Sequence, residues 1–514
     1  MNDRNCILKN ATKSKFLWGY LLVLFISQPI LDAMSYWLIK WKGAGSTQLT
    51  LAVRMLFFIL TIICGFIVSK KRKVYYIAFG VVFLFWILHY INGVRIGYSA
   101  IFLDLNNYIK LVQAPLFALS FISIFKQFAS IAPVKKFIGI NYLIILLVIL
   151  IAFITGTEAY TYPVYKIGII GWFYIGNAQT AIIAMIIPII IYTAFQSGNK
   201  IFFLLSVIVG FTNLFFTGTK VAYYSIFIIS IGFVIVLLLA KNKSIYPIII
   251  MGSMAILCAG LFTFSPMYGM TAIHSNFVNK QQQTSSSLQV DSQSSSSVSS
   301  KGNSSKSSAI GSTTGNSSEN PSDTSSSKSS DHLDLSKYEK VYSQLTRYQP
   351  MIKKFGLNTV LKQTNYTLDV GTLTNARNMK LTYNFILFNQ QDFLTKLLGI
   401  NYNMEMCGNE NYDVENDLMG ILFLYGIIGF LLYMLFIGYF AIYIFKKLLY
   451  SFSQCFSVEL GCILISLSIS LITAIFTAGM LRSPNASFYM SALIAYAYCL
   501  INHHSLQKQV KRND

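Results

Sequence analysis

The sequence predicts an all-α integral membrane protein of about twelve transmembrane helices, with one long extracytoplasmic loop between the ninth and the tenth. Three observations predict it. With 54% hydrophobic residues, 11% charged residues and a mean hydropathy of +0.55, the chain is too apolar for a soluble globular protein. Its apolar residues gather in runs near the roughly 20 residues that a helix needs to cross a hydrocarbon core about 30 Å thick. Its basic residues, which bring the formal charge to +21, flank those runs as membrane topology requires, so the charge does not point to nucleic acid.

The first run, 16–39, follows a basic N-terminus. It is too long for a signal peptide, contains Gln28, Pro29 and Asp32, and lacks a small-residue cleavage site, so it reads as an uncleaved helix. Eight more runs follow at 49–69, 74–91, 108–125, 137–154, 177–195, 201–217, 222–240 and 245–264. The last three are 418–445, 456–479 and 485–502. With the N-terminus inside, the inner segments carry clusters such as Lys70, Lys71, Arg72 and Lys73, whereas the short outer ones hold only Lys40, Lys42, Arg95, Lys110, Lys166, Lys220 and Arg482. That bias puts both termini in the cytoplasm of a multi-pass protein and the long loop outside. Four of the seven cysteines lie in apolar runs and only Cys407 lies in the outer loop, so no disulfide framework is implied.

The chain therefore divides into a membrane bundle, 1–264, an outer loop, 265–414, and a second membrane segment with a cytoplasmic tail, 415–514. Within the loop, 281–330 is about half serine and cannot bury enough apolar surface to offset its ordering entropy, which makes it a disordered tether or spacer. From 331 to 414 apolar residues return at helical spacing, as in YNFILFNQQDFLTKLLGI, and predict a partly helical segment over the membrane.

Charged residues inside apolar runs mark the places to look for function. Asp32 lies about seven residues, or roughly 10 Å, below the outer end of the first helix. Arg54 lies one turn into the second, so the two either line an outward-facing cavity or form a purely structural ion pair. Three further features share the outer face: Lys220 in the short turn Thr217-Gly218-Thr219-Lys220, Arg377 in the loop, and Glu415 with Asp417 before the tenth helix. Fixed positive charge stabilises a departing phosphate, and a carboxylate beside it accepts the proton of an attacking hydroxyl. Each also has a plain structural role open to it: Lys220 as an interfacial lysine, and Asp413, Glu415 and Asp417 as partners of the positive end of a helix.

The segments KIGIIGWFYIGNAQTAIIAMIIPII, FFTGTKVAYYSIFI, LTNARNMKLTYNF with KLLGINY, and VENDLMGILFLYGIIGF occur in the order and spacing of the bacterial O-antigen ligase and Wzy-type polysaccharide polymerase superfamily. The resemblance runs from about Lys166 to Gly479. It implies a metal-independent inverting glycosyltransferase of a bacterial cell membrane, without cofactor, whose donor is a polyprenyl-diphosphate-linked glycan and whose acceptor is a second glycan. Lys220 matches the family's basic residue in the short turn, and Arg377 resembles the loop arginine that meets the diphosphate. Glu415-Asn416 stands where many ligases have His-Asn, a departure that favours polymerase-like members. The expected catalytic residues are thus Glu415, with Asp417 in reserve, and the expected diphosphate ligands are Lys220 and Arg377. A chain-length regulator is a further candidate partner. The expected activity is polymerisation of lipid-linked repeat units into a capsule, exopolysaccharide or O-antigen type polymer. The alternatives are ligase-like transfer of finished glycan and transport of a lipid-linked glycan.

Overall fold

A computed structural model describes residues 2–97, 100–128, 130–294, 335–408 and 410–513. Among these residues, ten helices are long and apolar enough to cross a membrane. In chain order the first nine helices, with one hairpin, are α1 (Asn2–Lys42), α2 (Gln48–Val68), α3 (Arg72–Arg95), α4 (Ile101–Phe125), α5 (Ala132–Ile154), β1 (Ala159–Tyr162), β2 (Ile167–Gly171), α6 (Gly176–Gln196), α7 (Lys200–Thr217), α8 (Lys220–Leu239) and α9 (Tyr246–Gly260). Then come α10 (Pro266–Ser294), α11 (Leu335–Ser343), α12 (Gln349–Phe355), α13 (Leu357–Gln363), α14 (Val370–Thr374), α15 (Ala376–Asn389) and α16 (Phe393–Leu398). A small hairpin, β3 (Met406–Cys407) with β4 (Glu410–Asn411), precedes α17 (Asp417–Cys455), α18 (Val458–Phe476) and α19 (Pro484–Asn513).

Eleven of the twelve expected runs fall on α1 to α9, α17 and α18, and the twelfth falls within α19. At 15 residues α9 is shorter than a full crossing requires, and a 3-10 turn at Phe262–Phe264 takes up the rest of the expected run. The serine-rich tract is helical in its first residues, because α10 continues to Ser294, and the part from 295 to 330 lies outside the described residues.

The chain forms two compact units, Met1–Ile273 with Leu387–Asp514, and His274–Ile386. Residues 387–414, expected within the loop, belong to the first. Of the ten long apolar helices, α4 and α6 are the most enclosed, packed among α2, α5, α18 and α19. The outer helices keep large apolar side chains exposed, among them Ile77, Phe83 and Leu84 of α3. An apolar exterior on helices whose backbone bonds are satisfied internally is what hydrocarbon surroundings require. The second unit is a small helical cluster about Tyr342, Tyr348, Met351, Val360 and Tyr383, with Tyr342 Oη bonded to Thr364 Oγ1 at 2.7 Å.

One helix of the first unit is interrupted. α17 breaks at Gly426, whose φ of 66° and ψ of −174° only glycine adopts at low cost. A Cβ there would overlap Gly399 N and Leu397 O, so α16 and its following loop press backbone to backbone against the break. Ile400 N donates to Phe423 O at 2.9 Å and so meets a carbonyl that the interrupted ladder leaves over. The same loop is tied to α3: His89 Nδ1 donates to Leu398 O at 2.6 Å, and Asn92 Nδ2 donates to Gly399 O at 3.3 Å. His89 Nε2 faces Asp104 Oδ1 at 3.0 Å in α4.

Candidate active site

The turn between α18 and α19 and the start of α17 are built around one carboxylate. Asn416 caps α17, its Oδ1 accepting from Met419 N at 3.0 Å, and its Nδ2 reaches Ile475 O at 2.5 Å. This fixes Asp417 in the first turn, fully buried, where it accepts from Gly479 N at 3.2 Å and from Met480 N and Leu481 N at 2.7 Å each. Its Oδ1 also accepts from Arg482 Nε at 3.3 Å. Asp417 is thus fully engaged in holding the 479–482 turn.

Arg482 is held on three sides. Besides Asp417, its Nη1 donates to Asp413 Oδ1 at 2.7 Å and its Nη2 to Val414 O at 2.6 Å. Five donors less these three leaves two N–H groups of the fork for a ligand. Burial works against the charge, and Asp413 and Asp417 more than offset it, so the guanidinium is held above its ordinary pKa. Room for it exists only because residue 420 is glycine: a Cβ there would lie 2.5 Å from Arg482 Cζ.

A second charged pair stands on α1 and α2. Asp32 Oδ1 and Arg54 Nη2 are 2.7 Å apart, and Asn485 Nδ2 of α19 donates to Asp32 Oδ1 at 3.3 Å. Both pairs line a cavity of about 710 Å³ at the end of the bundle formed by the C-terminal part of α1 and the early turns of α2, α4, α6 and α17. Glu415, half-buried, lines it too, as does Lys110 of α4. Lys110 Nζ donates to Asn107 Oδ1 at 3.2 Å and, among the described residues, has no carboxylate at salt-bridge distance. The cavity is therefore lined by three cations, Arg54, Lys110 and Arg482, and by the carboxylates Asp32, Asp413, Glu415 and Asp417; Arg54 is paired with Asp32, and Arg482 with Asp413 and Asp417, which leaves two N–H groups of Arg482 over.

The structure brings Asp32, Arg54, Glu415 and Asp417 to one cavity. Lys220 does not line it: it is the exposed first residue of α8. The turn before it is rigid, because Thr219 caps α8 through Ala222 N at 3.0 Å and Thr161 Oγ1 donates to Thr217 O at 2.6 Å. Arg377 is exposed in the first turn of α15, in the second unit, where its N–H donates to Asn375 Oδ1 at 3.0 Å. In the sequence Lys110 and Arg482 read only as outer basic residues. Lys110 falls within the expected run 108–125, and the criterion that singled out Asp32 and Arg54 applies to it equally. Among the described residues no group of three or more His, Cys, Asp or Glu side chains is placed to hold a metal ion.

A model of the O-antigen ligase like membrane protein family matches residues 14–504, nearly the whole chain. The chain belongs to this family. No curated protein sequence matches it. As an O-antigen ligase like membrane protein it is a glycan-transferring protein of a membrane, acting on lipid-linked glycans. In this family member the charged cavity is lined by Glu415 and Asp417, and by Lys110 and Arg482, but by neither Lys220 nor Arg377.

Proposed function

We propose that the cavity receives the diphosphate end of a polyprenyl-diphosphate-linked oligosaccharide and that the protein joins such units into a surface polysaccharide. The observation that carries this is Lys110, Arg482 and Glu415 on one cavity of an O-antigen ligase like protein. The acceptor hydroxyl oxygen bonds to the anomeric carbon of the donor sugar as the bond from that carbon to the phosphate oxygen breaks. Its proton passes to Glu415, and the polyprenyl diphosphate leaves with the bonding electron pair. A single displacement inverts the anomeric centre. Lys110 and the two remaining N–H groups of Arg482 meet the charge gathering on the leaving group; a full unit charge at 4 Å and an effective dielectric near 20 is worth about 4 kcal/mol, and the two carboxylates on Arg482 reduce its share. Asp417 acts as a positioning residue, since its lone pairs already serve the 479–482 turn and Arg482. Lys220 and Arg377, neither of which lines the cavity, are proposed as basic contacts of the donor on the strength of the family pattern alone. With both termini in the cytoplasm, as the distribution of basic residues supports, the cavity opens on the outer side of the bacterial membrane.

A transport reading is favoured by one observation, the interruption of α17 at Gly426, since broken helices mark many transporter sites. At the break Ile400 N meets the Phe423 carbonyl and Gly399 packs against Gly426, so that part of the interrupted backbone is taken up by the protein itself. Ligase-like transfer to another acceptor uses the same cavity. Glycan chain lengths in a deletion strain separate the readings. Loss of a polymerase leaves single repeat units at the surface, loss of a ligase leaves polymer on its carrier lipid, and loss of a transporter leaves units trapped inside.

A further inference from the structure

The cavity holds polar groups that the reaction set does not use. Gln179, in the first turn of α6, is 2% exposed and lines the cavity, yet its Nε2 has no hydrogen-bond partner among the described residues. Native proteins seldom leave a buried donor unmet without a reason. Asn107 Nδ2 is a second such donor on the same cavity. Its orientation is fixed by Lys110, which has donors only, so the amide oxygen must face the ammonium, 3.2 Å away, and the NH2 must turn from it. Both side chains stand on largely enclosed spans, α4 and α6, and are therefore held ready for a ligand.

The chemistry of that ligand follows from the division of charge. Lys110 and Arg482 are the fitting partners for phosphate oxygens, and neutral amide donors suit neutral oxygens. Asn107 touches Lys110, so what it meets is the group attached directly to the phosphate that Lys110 holds. We propose that Gln179 and Asn107 form a recognition subsite for the sugar bonded to the diphosphate, donating to its hydroxyl or acetamido oxygens. This rests on the assignment of the cavity to a lipid-diphosphate glycan.

Gln179→Met in the full-length protein tests it, because methionine keeps the length of the side chain and removes the unmet donor. Binding is measured with a polyprenyl diphosphate carrying one hexose or one N-acetylhexosamine, and with the same lipid diphosphate without sugar. Affinity for the better bound of the two glycosylated lipids is expected to fall about 2- to 12-fold, the worth of one neutral hydrogen bond, with affinity for the bare lipid diphosphate unchanged. The melting temperature without lipid is expected to hold or rise, an outcome that a purely structural glutamine does not give. Equal losses for both lipids, or no loss for the glycosylated ones, overturn the subsite. Wild-type protein that binds the bare lipid as tightly as the glycosylated ones overturns it as well, leaving the diphosphate assignment standing. Wild-type protein that binds none of them removes that assignment and the subsite together. Gln179→Leu, read in the same way, guards against a methionine variant that fails to accumulate.

Discussion

Asp417→Asn separates a carboxylate that positions from one that reacts. In the wild type the side chain accepts from three backbone N–H groups and from Arg482 Nε, at 2.7–3.3 Å, with no exposure of its own. Asparagine keeps one oxygen and places an NH2 against donors, so at least one buried N–H loses its acceptor, at about 1–3 kcal/mol. Arg482 loses one of its two carboxylate partners and keeps the other, Asp413 at 2.7 Å, so that loss is about the 1.5–3 kcal/mol of one charged hydrogen bond. The two terms overlap because they share the same oxygens. A total of about 2–4 kcal/mol is expected, a large share of the roughly 5–15 kcal/mol that holds most folded proteins together. The variant should therefore melt below wild type in detergent, and its activity per folded molecule should fall, as Arg482 loses one of its anchors, but by less than the roughly 10² to 10⁴ that loss of a general base costs. Activity per folded molecule is the quantity to compare. A variant with wild-type melting behaviour and no activity would refute the positioning role and make Asp417 the base.

Glu415→Gln should fold and melt as wild type and lose about 10² to 10⁴ in rate, the usual cost of a general base, whereas a carboxylate that only complements the helix end costs under about 1 kcal/mol; initial rates with purified protein and lipid-linked donor decide between them. Arg377→Lys should be impaired and Arg377→Ala nearly inactive, because lysine keeps the charge and loses the two-pronged grip on phosphate oxygens; normal polymer from Arg377→Ala and Lys220→Ala together would remove both from the reaction. Gly426→Ala should destabilise by about 1–3 kcal/mol from backbone strain alone, and by more because its Cβ would collide with Gly399 N, as a lowered melting temperature reports. Cys407, half-buried in β3, should react with a membrane-impermeant thiol reagent added outside intact cells; reaction from the cytoplasmic side alone would invert the orientation.

The helices were legible in the sequence because membrane crossing imposes length and apolarity together, and both can be counted along the chain. Asp32 and Arg54 were legible for the same reason, since a charge inside an apolar run stands out, and the structure places them 2.7 Å apart. What could not be read was three-dimensional in origin. Asp417 looks in sequence like Glu415, and only the return of residues 479–482 from a distant part of the chain commits it to backbone donors. Arg482 looks like an interfacial arginine until Gly420 is seen to make room for it. The break at Gly426 carries no signal against the background of other glycines in spans, because its cause is the backbone of residue 399, which periodicity does not see.

That break bears on what the cavity does. Leu424 and Tyr425, the last residues before it, line the cavity, so the short stretch from Asp417 to Tyr425 forms one wall with a fixed point at each end. At the first end Asp417 is bonded to the 479–482 turn. At the second, Gly399 and Gly426 touch through their backbones, and His89 and Asn92 hold the carbonyls of Leu398 and Gly399. A transporter must move such a segment to alternate access, and each motion would leave buried N–H and C=O groups without partners, at about 1–3 kcal/mol apiece. A transferase gains from the same rigidity, because charge stabilisation depends on donors and cations that need no rearrangement as the leaving group departs. The wall is built for the second task.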